Sequence, residues 1–140
     1  MSDEALRDIL AIPGSRGILT TLKRDGRPQL SVGFHHWDAA TSTLSISVTD
    51  DRAKTRNLRR DPRASYLVMG ATPWQYVVAE ADAHLGEVTR DAHDGAADDL
   101  VALYRALGGE HPDWAEFRAA MVDQQRLVLR LHVTRVYGQV

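Results

Sequence analysis

Cysteine is absent from this 140-residue chain, and lysine is nearly so, with Lys23 and Lys54 the only two among 17 basic residues. Without cysteine there is no disulfide framework, thiolate zinc site, cysteine-ligated iron–sulfur cluster or cysteine nucleophile. Aromatic residues are 6% of the chain and the formal net charge is −2, which argues against the bulk basicity of a general nucleic-acid binder. No apolar run approaches the ~20 residues of a membrane span. Residues 1–12 (MSDEALRDILAI) lack the basic start and long apolar stretch of a signal peptide. The expectation is a cytoplasmic protein without membrane or nucleic-acid partners. G-x-S-x-G, G-x-G-x-x-G and Walker sequences are also missing.

What is present suffices for one domain, 1–140: a chain 44% hydrophobic at this length can bury a core without staples. Residues 2–11 read as a short amphipathic helix, capped by Ser2 or Asp3, with Leu6, Ile9 and Leu10 on one face. Two β-prone runs then flank Asp25-Gly26, a strong hairpin signal. Along the second run Leu30, Val32 and Phe34 alternate with Gln29, Ser31, Gly33 and His35. In the third, Leu44, Ile46 and Val48 alternate with Ser45, Ser47 and Thr49, so three strands form a meander. Asp50 and Asp51 suit the start of a helix that Pro62 ends. Strands are expected at about 64–69, 74–85 and 127–137, and helices at 91–107, stopped by Gly108, and at about 113–123. The fold class is mainly β with peripheral helices (α+β), a small and mostly antiparallel barrel.

Six of the 17 basic residues fall between Arg52 and Arg63. A solvated helix face is one reading. The other is an anion site: a helix opening after a strand offers free N–H groups, a favourable dipole and nearby cations, with Lys54, Thr55 and Asn57 in or near its first turn. Arg59 and Arg60 lie further along, better placed for the surface or for salt bridges. The small polar residues Gln29, Ser31, Gly33, Ser45, Ser47 and Thr49 read either as solvent-exposed or as a shelf for a planar ring. Trp74 and Tyr76, two aromatics on one face of one strand, read as packing or as the wall of a ring-binding pocket. The six histidines show no metal spacing, since His35 and His36 on a strand point to opposite faces. No side chain stands out as nucleophile or general base, so an enzyme built on this chain leaves the chemistry to a bound cofactor.

The segments GILTTLKRDGRPQLS, SVTDDRAKTRNLRRDPRAS, WQYVVAEADAHL and GGEHPDWAEFRAAMV, in that order, resemble the split β-barrel, FMN-binding superfamily of pyridoxamine 5′-phosphate oxidase and flavin reductases. The likeness covers nearly the whole chain, and RAKTRNLRRDPRA is similar to the branch of actinobacterial oxidoreductases that use the deazaflavin coenzyme F420. The resemblance implies a homodimer with cofactor sites at the interface and a small-molecule substrate. It places the cofactor ring against Ser47, Val48, Thr49, Gln29 and Ser31. It places the phosphate on Arg52, Lys54, Thr55 and Asn57. Trp74 and Tyr76 would come from the neighbouring subunit or line the substrate side.

The implied activity is hydride transfer from reduced F420 to an unsaturated acceptor. Solvent is the default proton donor, with Tyr76 and His35 as side-chain candidates. F420 presents a phosphate and an oligoglutamate tail, which Arg56, Arg59 and Arg60 could meet, where FMN presents one phosphate. The bulky Phe34-His35-His36-Trp37 stretch borders the expected pocket and can reshape its substrate side. Three alternatives remain open: an FMN-dependent oxidase-like enzyme, a non-catalytic F420 carrier, and haem binding on a related barrel. No metal site is expected.

Overall fold

The alternating segments pair as antiparallel strands and close on themselves. The computed structural model describes residues 3–140, so the expected cap at Ser2 lies outside the described residues. In chain order the elements are α1 (Asp3–Leu10), β1 (Arg16–Leu22), β2 (Pro28–Asp38), β3 (Thr43–Thr49), α2 (Ala53–Arg60) and β4 (Arg63–Met69). There follow β5 (Tyr76–Leu85), α3 (Gly95–Gly108), α4 (Trp114–Asp123) and β6 (Arg126–Gln139). The barrel order is β1-β2-β3-β6-β5-β4, closed by β4 against β1, so the expected β1-β2-β3 meander is one half of it. This is the split-barrel architecture, mainly β with helices outside.

The core is aliphatic apart from one ring. Leu44, Ile46 and Val48 of β3 meet Leu127, Leu129 and Leu131 of β6, and Leu6, Ile9 and Leu10 of α1 join the same cluster. Tyr66 of β4 is fully buried, and Gly17 and Gly33 leave the space its ring occupies: a Cβ on Gly17 would lie 2.1 Å from Tyr66 Cζ. The Tyr66 hydroxyl lies 3.0 Å from the Gly33 carbonyl and 2.8 Å from His35 Nδ1, while His35 Nε2 is 2.9 Å from the Leu10 carbonyl. The Leu10 carbonyl can only accept, so Nε2 carries the proton of the neutral ring, and the single Tyr66 hydroxyl proton lies between two acceptors, the Gly33 carbonyl and His35 Nδ1.

Local chemistry shifts several boundaries. The Asp25-Gly26 hairpin uses a three-residue loop, because Lys23 N donates to Arg27 O and Gly26 takes φ +86°. Residues 91–94 form a turn, not helix, since the Asp94 carboxylate accepts from Ala97 N, Arg90 N and Asp91 N. These bonds hold its pKa down to about 2. The helix α2 opens at Arg52 without a side-chain cap; Asp50 instead pairs with Arg59. Gly109, at φ +78°, caps α3 in place of Gly108. Trp74 is not on a strand, because residues 70–75 form a turn closed by Gly70 N donating to Gln75 O.

The polarity of β2 is the reverse of an ordinary barrel strand. Gly33 and His35 are buried, while Leu30, Val32 and Phe34 are 54–60% exposed. This strand also changes partners. Residues 28–34 pair with β1, whereas pairing with β3 is confined to 35–38. The first half of β2 and the Ser47–Thr49 end of β3 therefore diverge, and α2 closes one end of the gap.

Candidate functional site

The gap between β2 and β3 is a cleft of about 600 Å³. Its walls carry Gln29 and Ser31 from β2 and Ser47 and Thr49 from β3; Arg52 and Lys54 enter from the start of α2. Six of the eleven residues expected to bind a cofactor thus meet in one place. The other five stand elsewhere. Val48 points into the core and is 2% exposed. Thr55 Oγ1 donates to the Thr49 carbonyl, and Asn57 Nδ2 donates to Thr21 Oγ1 and Gln29 Oε1, so both buried side chains tie α2 to the sheet. Trp74 is 77% exposed on its turn and Tyr76 opens β5; neither lines the cleft of its own chain. Residues 52–57 are nevertheless a unit, with Thr55 and Asn57 fixing the helix that presents Arg52 and Lys54.

The candidate proton donor His35 is likewise outside the cleft. Both its ring nitrogens are engaged in the core, with Leu10 and Tyr66, and burial lowers its pKa, with the charge of His36 adding to the fall and the Leu10 bond opposing it. The outlying arginines are also committed. Arg56 donates to the Asp51 carbonyl, Arg59 pairs with Asp50, and Arg60 donates to the Leu22 carbonyl.

One cleft residue was not anticipated from the sequence. Arg126, the first residue of β6, lines the cleft and donates to Ser47 Oγ at 3.1 Å and Gln124 Oε1 at 2.7 Å. Its sequence signal is slight: a single arginine where a β-run begins. Burial lowers the Lys54 pKa, and the charges of Arg52 and Arg126 lower it further. Arg126 is depressed in turn by burial and by Arg52. Among the described residues none of these three cations pairs with a carboxylate, and none of the described residues lining the cleft is acidic. On β2, Ser31 Oγ is buried with no hydrogen-bond partner. Clustered like charge and an orphaned hydroxyl both cost stability unless something satisfies them. An elongated ligand, anionic at one end and with a polar-edged ring at the other, would satisfy both.

A model of the pyridoxamine 5′-phosphate oxidase family matches residues 2–140. The chain belongs to that family. Solved structures with the same architecture include one named F420 reductase, 20% identical over 99% of this chain and 98% of its own, with a TM-score of 0.69. An FAD-binding protein from Mesorhizobium loti is 16% identical, covering 97% and 92%, with a TM-score of 0.68. HutZ, the haem storage protein of Vibrio cholerae, is 15% identical, covering 97% and 93%, with a TM-score of 0.68. These likenesses show the pyridoxamine 5′-phosphate oxidase-like barrel fold. Among the described residues no group of three or more His, Asp or Glu is placed to hold a metal ion, and no helix is long and apolar enough to cross a membrane.

Proposed function

We propose that this member of the pyridoxamine 5′-phosphate oxidase family is an F420-dependent oxidoreductase that reduces an unsaturated small molecule. The observation that carries the reading is the cleft's charge: Arg52, Lys54 and Arg126 stand together without a carboxylate. This positive field suits a cofactor with an anionic end, and the likeness of RAKTRNLRRDPRA to the deazaflavin-using branch favours F420. When bound, the deazaflavin supplies a hydride from C5, and its carbon in place of the flavin N5 favours two-electron transfer.

In this reading the chain binds, orients and excludes water. Arg52 and Lys54 hold the anionic end, helped by the uncapped start of α2. Gln29, Ser31, Ser47 and Thr49 meet the polar edge of the ring, and Val32 and Phe34 supply an apolar border. The proton that completes the reduction comes from solvent, since His35 is engaged in the core. Exposed Leu30, Val32 and Phe34, together with Met69 on β4, form an outer apolar face that a second copy of the chain would cover. Because Val32 and Phe34 also line the cleft, that second copy would complete its wall, and Tyr76 and the exposed Trp74 would reach a cleft only across the interface.

Titrating the purified protein with F420 and with FMN, followed by ligand fluorescence, tests the proposal. Saturable F420 binding with negligible FMN binding is expected. The reverse result overturns it in favour of an FMN enzyme. F420 binding without turnover across a broad acceptor panel leaves a carrier.

A further inference from the structure

Next to the cleft, and sharing Ser47, Leu107 and Arg126 with it, lies a second, half-open cavity of about 170 Å³. Its sides are Leu100, Leu103 and Tyr104 of α3 with Phe117 and Met121 of α4. An apolar cavity of about 150 Å³ is large enough to hold benzene, so this one has room for a six-membered carbon ring. Its shape is held by ring contacts: Tyr104 meets His111, Trp114 and Phe117 edge-on or nearly so, at centroid distances of 5.2, 5.6 and 5.1 Å. The Asp98–Arg118 ion pair at 2.9 Å adds a further link between α3 and α4.

Arg126 is the charged residue at the threshold. It borders both the cleft and this annex, whereas Arg52 and Lys54 border the cleft alone. Its hydrogen-bond partners, Gln124 and Ser47, are neutral, and no carboxylate among the described residues pairs with it. An apolar chamber with one unbalanced guanidinium at its mouth is complementary to a ring that carries an anionic group.

We infer that the annex is the acceptor site, and that it takes the apolar ring of an aromatic or alicyclic carboxylic acid whose carboxylate rests on Arg126. The acid's conjugated C=C, between ring and carboxylate at the threshold, takes the hydride at its β-carbon and a solvent proton at its α-carbon. The role as acceptor site rests on the proposed cofactor reading; the binding itself does not, and is measured without cofactor. Of the chain's three methionines, Met121 lines the annex and Met69 lies on the outer face of the barrel. Methyl-labelled methionine therefore gives a probe and a control in one spectrum. Benzoate, toluene and acetate are each titrated into the protein.

Benzoate is expected to move the Met121 methyl saturably and leave Met69 unmoved, and acetate to move neither. Arg126→Gln is expected to weaken benzoate about tenfold, the loss of one charge-assisted contact, while toluene still moves Met121 and so reports an intact annex. A Met121 methyl indifferent to benzoate overturns the inference, as does equal benzoate affinity in Arg126→Gln. Leu107→Trp, at a half-exposed position on the threshold, is expected to block benzoate entry, and unchanged binding there also overturns it. F420 fluorescence titration of the same samples separates the two proposals. Loss of F420 binding with benzoate binding intact removes the cofactor reading alone, and the converse removes the annex alone.

Discussion

The His35 Nδ1 lies 2.8 Å from the Tyr66 hydroxyl, and the opposite nitrogen of the same ring lies 2.9 Å from the carbonyl that ends α1. One buried imidazole thus joins the first helix to the ring at the barrel's centre. His35→Phe leaves the Leu10 carbonyl unpaired and is expected to destabilise the protein by about 1–3 kcal/mol, measured by urea denaturation. An unchanged midpoint would show that water replaces the bond.

The same residue sets a pH dependence. Its folded pKa lies below the ordinary value of 6.5, so the unfolded chain binds the proton more readily. Stability is then complete above pH 6.5, falls as the pH drops below that value, and stops falling once the folded-state pKa is passed. His35→Phe should flatten the melting temperature across pH 7.5 to 5.5 relative to the native chain. A native chain with no slope in this window would contradict the assignment of a neutral His35.

Lys54→Ala is expected to weaken cofactor binding by about 1–3 kcal/mol, the loss of one charge-assisted contact, with steeper salt dependence in the native protein than in the variant. Identical affinities would place the anion elsewhere. Because Lys54 has no ion-pair partner among the described residues, this variant should fold as stably as the native chain or more so.

Gly17→Ala drives a methyl group to 2.1 and 2.2 Å from two carbons of the Tyr66 ring and 2.5 Å from its hydroxyl oxygen. That ring is fully enclosed and cannot swing aside, so a loss of about 1–3 kcal/mol or more is expected from overpacking. Gly17→Ala made in a Tyr66→Phe background, and compared with Tyr66→Phe alone, separates the hydroxyl clash from the ring clash. A loss in that background equal to the loss in the native chain assigns the strain to the ring.

Val32→Glu places a charge in the middle of the exposed face of β2. Sedimentation at micromolar concentration should show a dimer for the native chain and a shift to monomer for the variant, with weakened cofactor binding because Val32 borders the cleft. A native chain that sediments as a monomer removes the two-copy reading.

The barrel, its strand order in the first half, and the clustering of cations at 52–57 beside the cleft are legible in the sequence because period-two alternation and charge clustering are local signals. The inside and outside of β2 are not. Alternation marks two faces, but Tyr66, a distant residue, decides that small Gly33 and polar His35 go inward. Trp74 reads as strand because aromatic and β-branched residues continue beyond it, yet Pro73 and the Gly70–Gln75 bond hold it in a turn. Arg126 is invisible for another reason: its role depends on Ser47, which tertiary structure alone brings beside it.

That last pairing, 79 residues apart along the chain, has a consequence in time. The strand β6 is the last of the six to leave the ribosome, and it must slot between β3 and β5 before the cleft has its Arg126. Closure by such distant segments is slow. A ligand held by the finished cleft arrives too late to accelerate it, so F420 added during refolding should leave the refolding rate unchanged and act only by slowing the opening of barrels already closed.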